Sequence, residues 1–156
     1  MKQIIIDDGT REYQITNQYG REICRVHFRP GDVSLVSRYK AMRDDFHKII
    51  APLAELNITA EGEAADDAGL EALAKADANF RKTLNKLLDS DDAADVFKQR
   101  NPFSSVGGRF FCEVVLEALG TIIRDVAAEE AAASEKRIAK YIEREAPDAG
   151  QPAADA

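Results

Sequence analysis

The chain changes its hydrophobic periodicity at Arg29-Pro30-Gly31-Asp32, and this change constrains the fold more than any other feature. Before it, Cys24, Val26 and Phe28 alternate with polar residues, as on one face of a strand. After it, apolar residues recur every three or four positions, which is typical of amphipathic helices. The sequence predicts an α+β, mainly α fold: a short N-terminal antiparallel β-meander followed by a helical bundle with a long C-terminal helix.

The meander is predicted over residues 1–29. Ile4–Ile6 is a short β-branched run, a turn signal follows at Asp7-Asp8-Gly9, and Tyr13 and Ile15 alternate with polar neighbours. A further strand is predicted over 22–28. Because two or three strands alone are marginally stable in water, we expect this sheet to pack on the helices that follow.

The helices are predicted over 33–55, with Asp32 as N-cap, over 65–88, and over a short stretch from Ala93 to Phe97. The last helix is predicted over 109–145 and would span roughly 54 Å at 1.5 Å per residue. This is longer than a domain of this size is wide, so its C-terminal end is expected to project.

A single domain is expected over 1–146, with the meander at 1–29 and the helical part at 33–146, because one domain is the usual content of a chain near 150 residues. The last ten residues, 147–156, are small, polar and proline-containing, and are expected to be a disordered tail.

Charge is distributed unevenly along the chain. The net charge is -7, from 21 basic and 28 acidic residues, yet residues 21–48 carry seven basic against four acidic side chains. Residues 55–95 carry eleven acidic against four basic ones. Solvated helix faces explain this pattern, and so does attraction between copies or toward a charged partner. The acidic total argues against bulk binding of nucleic acid.

Cysteine usage and hydropathy indicate a cytoplasmic protein. The two cysteines have no CxxC spacing and suit a reducing compartment. Apolar runs are too short for a signal peptide or a transmembrane span, so we expect no membrane association.

Residues that carry chemistry form no convincing catalytic or metal-binding set. Cys24 and His27 fall on opposite faces of a strand, and a zinc site would need His47 and Cys112 to converge with them. Gly107-Gly108 lacks the Lys-Ser/Thr of a phosphate loop, and a break between two helices explains it. We therefore expect no enzymatic activity, cofactor or metal.

An aromatic junction, defined as residues 96–111, is the most distinctive segment. Four of the eleven aromatic residues fall within 15 positions here. They can close a helical core, or part of the cluster can stay exposed to dock a partner, since aromatic anchors dominate binding energy. Both interpretations remain open from the sequence.

Three segments resemble, in order, the tail assembly chaperones of long-tailed, non-contractile (siphovirus-type) bacteriophages and prophages. The entry into the first long helix reads VHFRPGDVSLVSRYKAM. The aromatic junction and its flanks read DDAADVFKQRNPFSSVGGRFFCEVVLEALGTII. A basic ending reads SEKRIAKYI. Together these segments cover about 60 of the 156 residues, and the strand-rich start also fits the family.

The resemblance implies a non-enzymatic protein of the host cytoplasm that is absent from the mature virion. It would bind the phage tape measure protein, a long helical partner, and give way as the tail tube protein polymerises. The family often has a longer form made by ribosomal frameshift, and we expect self-association into a homo-oligomer. The residues expected to contact partners or other copies are Phe97, Asn101, Pro102, Phe103, Phe110, Ile138, Tyr141 and Ile142.

A different class of function remains open beside this one. A small cytosolic helical adaptor or regulator could use the basic segment 21–48 to contact nucleic acid, if its basic side chains share one surface. The side chains that it needs are Arg25, Arg29, Arg38, Lys40, Arg43 and Lys48.

Overall fold

The structure, a computed structural model, describes residues 1–59 and 66–155, with side chains up to Glu143. It has an α+β, mainly α fold with an N-terminal antiparallel hairpin and a long C-terminal helix, so the predicted fold class is confirmed. The elements are β1 (Arg11–Thr16), β2 (Glu22–Phe28), α1 (Leu35–Glu55), α2 (Asp67–Leu88), α3 (Ala93–Val96), β3 (Ser105–Val106), β4 (Arg109–Phe110) and α4 (Phe111–Asp155).

The N-terminal hairpin joins β1 and β2 through a turn closed by Asn17. The Asn17 side chain accepts hydrogen bonds from the backbone N–H groups of Tyr19 and Arg21. Gly20 follows with a φ of 82°, a conformation that glycine adopts without steric cost. One face of β2 is fully buried, as its alternation predicts, and packs on the helices.

Ile4–Ile6 lie outside the strands of the described structure, so the predicted first strand is wrong. All three side chains are exposed. A strand requires a neighbour to satisfy its backbone donors and acceptors, and β1 pairs with β2 instead. The sheet is therefore a hairpin rather than a longer meander.

The bounds of α1 and α2 fall within two residues of the prediction, but the predicted cap of α1 is wrong. Ser34 is its N-cap, while Asp32 closes the preceding turn by accepting the Ser34 N–H at 2.9 Å. The second carboxylate oxygen of Asp32 pairs with Arg38 at 2.8 Å. In α2, Asp66 caps the helix by accepting the Gly69 N–H at 2.7 Å.

A second, very short hairpin lies between α3 and α4, where the sequence predicts a loop and a helix start at 109. Val106 pairs with Arg109 and Ser105 with Phe110. The turn residues are Gly107 and Gly108, with φ of 58° and 81°. Positive φ at both central residues is the requirement of a type I′ turn, so these glycines serve a hairpin rather than a simple break between helices.

The last helix, α4, contains 45 residues and spans about 67 Å at 1.5 Å per residue. It continues past residue 145 to Asp155, through the segment 147–155 for which the sequence predicts a disordered tail. The N-terminal part, from Phe111 to about Ile123, is buried against α1 and the hairpins, whereas side chains from Ala128 to Glu143 are largely exposed. The projecting end is thus observed; the division into one domain and a tail stays a prediction.

The core lies where the first hairpin, the two long helices and the start of α4 meet. Phe28 from β2, Leu35 from α1 and Phe80 from α2 are fully buried there, and Leu119 enters from α4. Each such side chain contributes about 1.5–3 kcal/mol by leaving water. This core fixes the first hairpin beside α3 and the start of α4, and a groove remains between them.

Candidate partner-binding groove

The groove consists of two adjoining cavities of about 380 Å³ and 250 Å³ between the first hairpin and the segment 96–118. We call this pair the hairpin groove. One wall comes from the strand ends and turn of the hairpin, and the other from α3, the second hairpin and the start of α4. Both cavities are lined by Asn17, Gln18, Ile23, Val96, Arg100, Val106 and Phe111.

The smaller cavity has an apolar floor. Ile15 and Ile23 reach it from the hairpin, because both lie near the strand ends, where the helices cover the sheet only partly. Val114 and Ala118 reach it from successive turns of α4, since residues four apart share a helix face. An apolar pocket of this kind favours an apolar side chain from a partner.

The rim of the larger cavity is basic. Arg21, Lys98 and Arg100 line it, against the single carboxylate of Glu22. Lys98 pairs with Asp95 at 3.0 Å, whereas Arg21 and Arg100 have no salt bridge to any residue that the structure describes. A positive rim on a chain of net charge -7 favours an acidic segment in a partner.

The Arg100 guanidinium is held in place by an aromatic ring of the floor. Its Cζ atom lies 5.4 Å from the centroid of the Phe111 ring, the geometry of a cation–π contact. The charge therefore lies directly beside the apolar floor, so a partner can contact both with neighbouring residues.

Two carboxylates of the α3 region fix the hairpin that forms one wall. The Arg25 N–H donates to Asp95 at 3.0 Å, and the His27 N–H donates to Asp92 at 2.6 Å. The Arg25 amide and then Lys98 lower the pKa of Asp95. These bonds use backbone donors on the outer side of β2, where another strand would otherwise pair.

The His27 ring lies between two carboxylates. Its Nδ1 atom is 3.1 Å from Asp92, and its Nε2 atom is 2.9 Å from Glu12 on β1. The hydrogen bonds with Asp92 and then Glu12 raise the pKa of His27. In its charged form, this side chain links both strands of the hairpin to α3.

Four of the residues expected to contact partners are in the core. Phe97, Pro102, Phe103 and Phe110 are buried. Phe97 packs edge to face against Phe80 and Phe111, with ring centroids 5.7 and 5.9 Å apart. In the isolated chain the aromatic junction therefore closes the core beneath the groove, and a docking role for these four residues stays a prediction.

The other expected contact residues are exposed. Asn101 accepts the Phe103 N–H at 2.8 Å and so shapes the turn before the second hairpin. Ile138, Tyr141 and Ile142 are 52%, 65% and 57% exposed and share one face of α4 at helical spacing. This apolar stripe begins 20 residues beyond Ala118, about 30 Å along the helix, so the groove and the stripe are separate surfaces.

The cysteines considered for catalysis or metal binding, Cys24 and Cys112, are buried. Among the described residues there is no cluster of three metal-ligating side chains. Burial raises the pKa of Cys24 to about 11 and that of Cys112 to about 12. Both thiols therefore stay protonated at neutral pH, and a protonated thiol is a poor nucleophile and metal ligand.

The basic segment 21–48 is partly neutralised by carboxylates. Arg25 pairs with Glu22 and Glu12, and Arg29 pairs with Asp89 at 2.5 Å. Arg38 pairs with Asp32 and also donates to the Leu87 carbonyl. Half of the side chains needed for the nucleic-acid alternative are thus held by partners within the chain.

No protein-family model, curated protein or solved structure matches this chain. The described helices include none with the length and apolar character needed to cross a membrane. The chain's own surfaces and the resemblance in its sequence are therefore the grounds on which a function can be proposed.

Sequence reasoning missed the groove and most of its lining. Ile15 and Ile23 are visible as strand residues and Val114 as a helix residue, but nothing local indicates that they meet. Arg100 could have been found, because arginine and aromatic residues are enriched at protein interfaces and this arginine precedes Asn101-Pro102 within an aromatic cluster.

Proposed function

We propose that this chain is a tail assembly chaperone of siphovirus-type phages or prophages. It acts in the host cytoplasm, binds the tape measure protein without catalysing a reaction, assists assembly of the tail tube and is absent from the mature virion. The observation that carries the proposal is the ordered set of three sequence segments at 26–42, 91–123 and 134–142. The first two segments contribute to the helices and hairpins around the core.

The hairpin groove supports the proposal because its chemistry suits a long amphipathic helix. A partner helix can insert an apolar side chain against Ile23 and Val114 while an acidic side chain on the next turn meets Arg100 or Arg21. The exposed stripe at Ile138, Tyr141 and Ile142 offers a second apolar contact. Covering such helices would keep a long partner from aggregating before the tube forms around it.

The proposal is tested by co-expression with the tape measure protein encoded in the same gene cluster. We expect more tape measure protein in the soluble fraction, and recovery of both proteins together through a tag on this chain. An unrelated acidic helical protein expressed at the same level is the control. An equal soluble yield with this chain and with the control would refute the proposed function.

A further inference from the structure

Ile4–Ile6 are the most exposed run of large apolar residues in the described structure. Their relative exposures are 92%, 89% and 77%. Three consecutive β-branched residues have a strong preference for strands. Two local turns direct this segment away from β1, because Asp7 accepts the Gly9 N–H at 2.9 Å and Asp8 accepts the Thr10 N–H at 3.0 Å.

The N-terminal sheet has one blocked edge and one open edge. The outward N–H groups of β2, at Arg25 and His27, donate to the carboxylates of Asp95 and Asp92. Their register partners on β1 are Gln14 and Glu12, so the N–H and C=O groups of those two residues point away from β2. Among the described elements, β1 forms a sheet only with β2, so its outer hydrogen-bonding edge is open.

The inner face next to the open edge is incompletely covered. Tyr13 and Ile15 are only half-buried, whereas their register partners on β2, Val26 and Cys24, are fully buried. A strand added beside β1 would cover the exposed parts of both side chains. Because side chains alternate along a strand, Ile4 and Ile6 would lie on that inner face and Ile5 on the other.

We propose that Ile4–Ile6 of one copy pair with the open edge of β1 in a second copy, and that reciprocal exchange forms a two-fold dimer. Antiparallel pairing with Ile4 opposite Ile15 and Ile6 opposite Tyr13 brings these apolar side chains together on the inner face. The same register exchanges the Asp7–Arg11 ion pair within each chain for an Asp8–Arg11 pair between the chains, and it places Asp7 opposite Glu12. The dimer specifies how the expected self-association occurs. It holds whether or not the chain binds a tape measure protein.

The area of this contact is that of a small protein interface. Burying one isoleucine removes on the order of 100 Å² of apolar surface from water, and the acceptor strand loses a similar area. Two exchanged segments, each with Ile4 and Ile6 on the covered face, therefore bury on the order of 800 Å² of apolar surface, and the backbone paired between the two strands adds to the area toward the roughly 1,200 Å² of small specific interfaces.

The first test is the mass of the full, purified chain at micromolar concentration, measured by light scattering after size exclusion. We expect a dimer for the wild type and a monomer for the double variant Ile4→Lys/Ile6→Lys, with dimer affinity lowered by about 100-fold or more. The matched control is Ile5→Lys, which adds a charge on the solvent face and should leave the dimer in place. A monomeric wild type overturns the proposal, and so does equal dissociation by Ile5→Lys.

The second test closes the open edge without touching Ile4–Ile6. Gln14→Pro removes an N–H that points away from β2, and proline is tolerated at such edge positions. We expect a folded monomer with unchanged circular dichroism. Mixed with Ile4→Lys/Ile6→Lys, it should restore a weaker heterodimer, because its intact segment can pair with the other chain's open edge. A Gln14→Pro variant that stays dimeric, or a mixture without heterodimer, overturns the proposal.

A strand contributed by the same chain is also distinguished by these measurements. If Ile4–Ile6 paired with their own β1, the wild type would be monomeric and the Gln14 amide would be protected from hydrogen exchange at every protein concentration. That result would contradict strand exchange. Since each experiment uses this chain alone, failure here is separate from failure of the proposed function.

Discussion

Gly120 is the position at which α4 lets an aromatic side chain of α1 reach its backbone. The Tyr39 hydroxyl donates to the Leu116 carbonyl at 3.4 Å. A Cβ atom built on Gly120 would lie 2.5 Å from Tyr39 Cζ, far inside van der Waals contact. The absence of a side chain at 120 is therefore a packing requirement between α1 and α4, although glycine lowers helix propensity.

The effect of Gly120→Ala on the free energy of unfolding should consequently depend on the residue at position 39 and change sign when the tyrosine is removed. In the wild type we expect it to lower the free energy of unfolding by about 1–3 kcal/mol through overpacking. In a Tyr39→Ala background, where the clash is gone, it should raise that free energy by up to about 1 kcal/mol through helix propensity. Urea unfolding of the wild type, Gly120→Ala, Tyr39→Ala and the double variant measures this double-mutant cycle. Equal effects of Gly120→Ala in both backgrounds would disprove the contact.

Phe97 is the residue that best tests whether the aromatic junction belongs to the core in solution. It is 3% exposed, packs between the Phe80 and Phe111 rings and lies under the Arg81 guanidinium at 5.4 Å. Removing the ring leaves a cavity among three side chains that cannot easily collapse.

We expect Phe97→Ala to cost about 3–5 kcal/mol of unfolding free energy, and Phe97→Leu distinctly less, because it leaves a smaller cavity. The measurement is denaturant unfolding, in which the slope of the unfolding free energy against denaturant concentration should stay unchanged. If Phe97→Ala unfolds like the parent but loses a binding partner, the ring is a docking residue and the core interpretation is wrong.

At the scale of elements, His27 joins the hairpin to α3 through a charge that depends on pH. Asp92 and then Glu12 raise the pKa of His27 above its ordinary value near 6.5. The other groups at this junction include Arg25, which also pairs with Glu12, Ser90, which donates to Asp92, and Asp95, whose carboxylate interacts electrostatically with His27.

A raised pKa in the folded state stabilises the fold when the group is protonated. This contribution is fully present below the unfolded-state pKa of about 6.5 and is lost as pH rises through the folded-state pKa. We expect the unfolding free energy to fall as the pH rises above about 6.5, and His27→Gln to remove most of that slope. Chemical denaturation across this range tests it; an unchanged slope in His27→Gln would assign the pH dependence to other groups.

The long elements could be predicted from the sequence, and the short ones could not. The ends of α1 and α2, at Glu55 and Leu88, match because helical periodicity runs over many residues and capping signals reinforce it. The second hairpin was missed because strands of two residues show no alternation. Gly107-Gly108 was the available signal, since this dipeptide suits a type I′ turn.

Ile4–Ile6 show a different limit of local patterns. Their composition indicates a preference for strands, but a strand also needs a free edge in the right place. That edge is set by how β1, β2 and α3 pack, which is information from distant parts of the chain. The predicted meander is wrong because Ile4–Ile6 do not pair with β1 in the described structure, and for the same reason the outer edge of β1 is open.

At the scale of the whole molecule, the hairpin groove exists only because residues 15–23 and 96–118 meet across the core. The periodicity of a single sequence shows which residues share a face of a helix or strand, but not which of these faces pack together. The groove therefore could not be predicted. The burial of the aromatic junction follows from the same packing. The candidate partner surfaces are therefore the groove, the exposed stripe of α4 and the open sheet edge.

Ala118 offers a direct test of the groove as a binding site for the tape measure protein. Its side chain is exposed and lines the smaller cavity, so a glutamate there places a charge on the apolar floor without disturbing the core. Ala128, also exposed on α4 and ten residues further along, gives a matched control for the same substitution.

The decisive measurement is the amount of tape measure protein that stays soluble and co-purifies with the wild type, with Ala118→Glu and with Ala128→Glu. We expect Ala118→Glu to reduce recovery about tenfold, the effect of losing roughly 1.4 kcal/mol of binding free energy, while Ala128→Glu matches the wild type. Equal recovery with all three chains would contradict binding in the groove. No recovery even with the wild type would contradict the chaperone function itself.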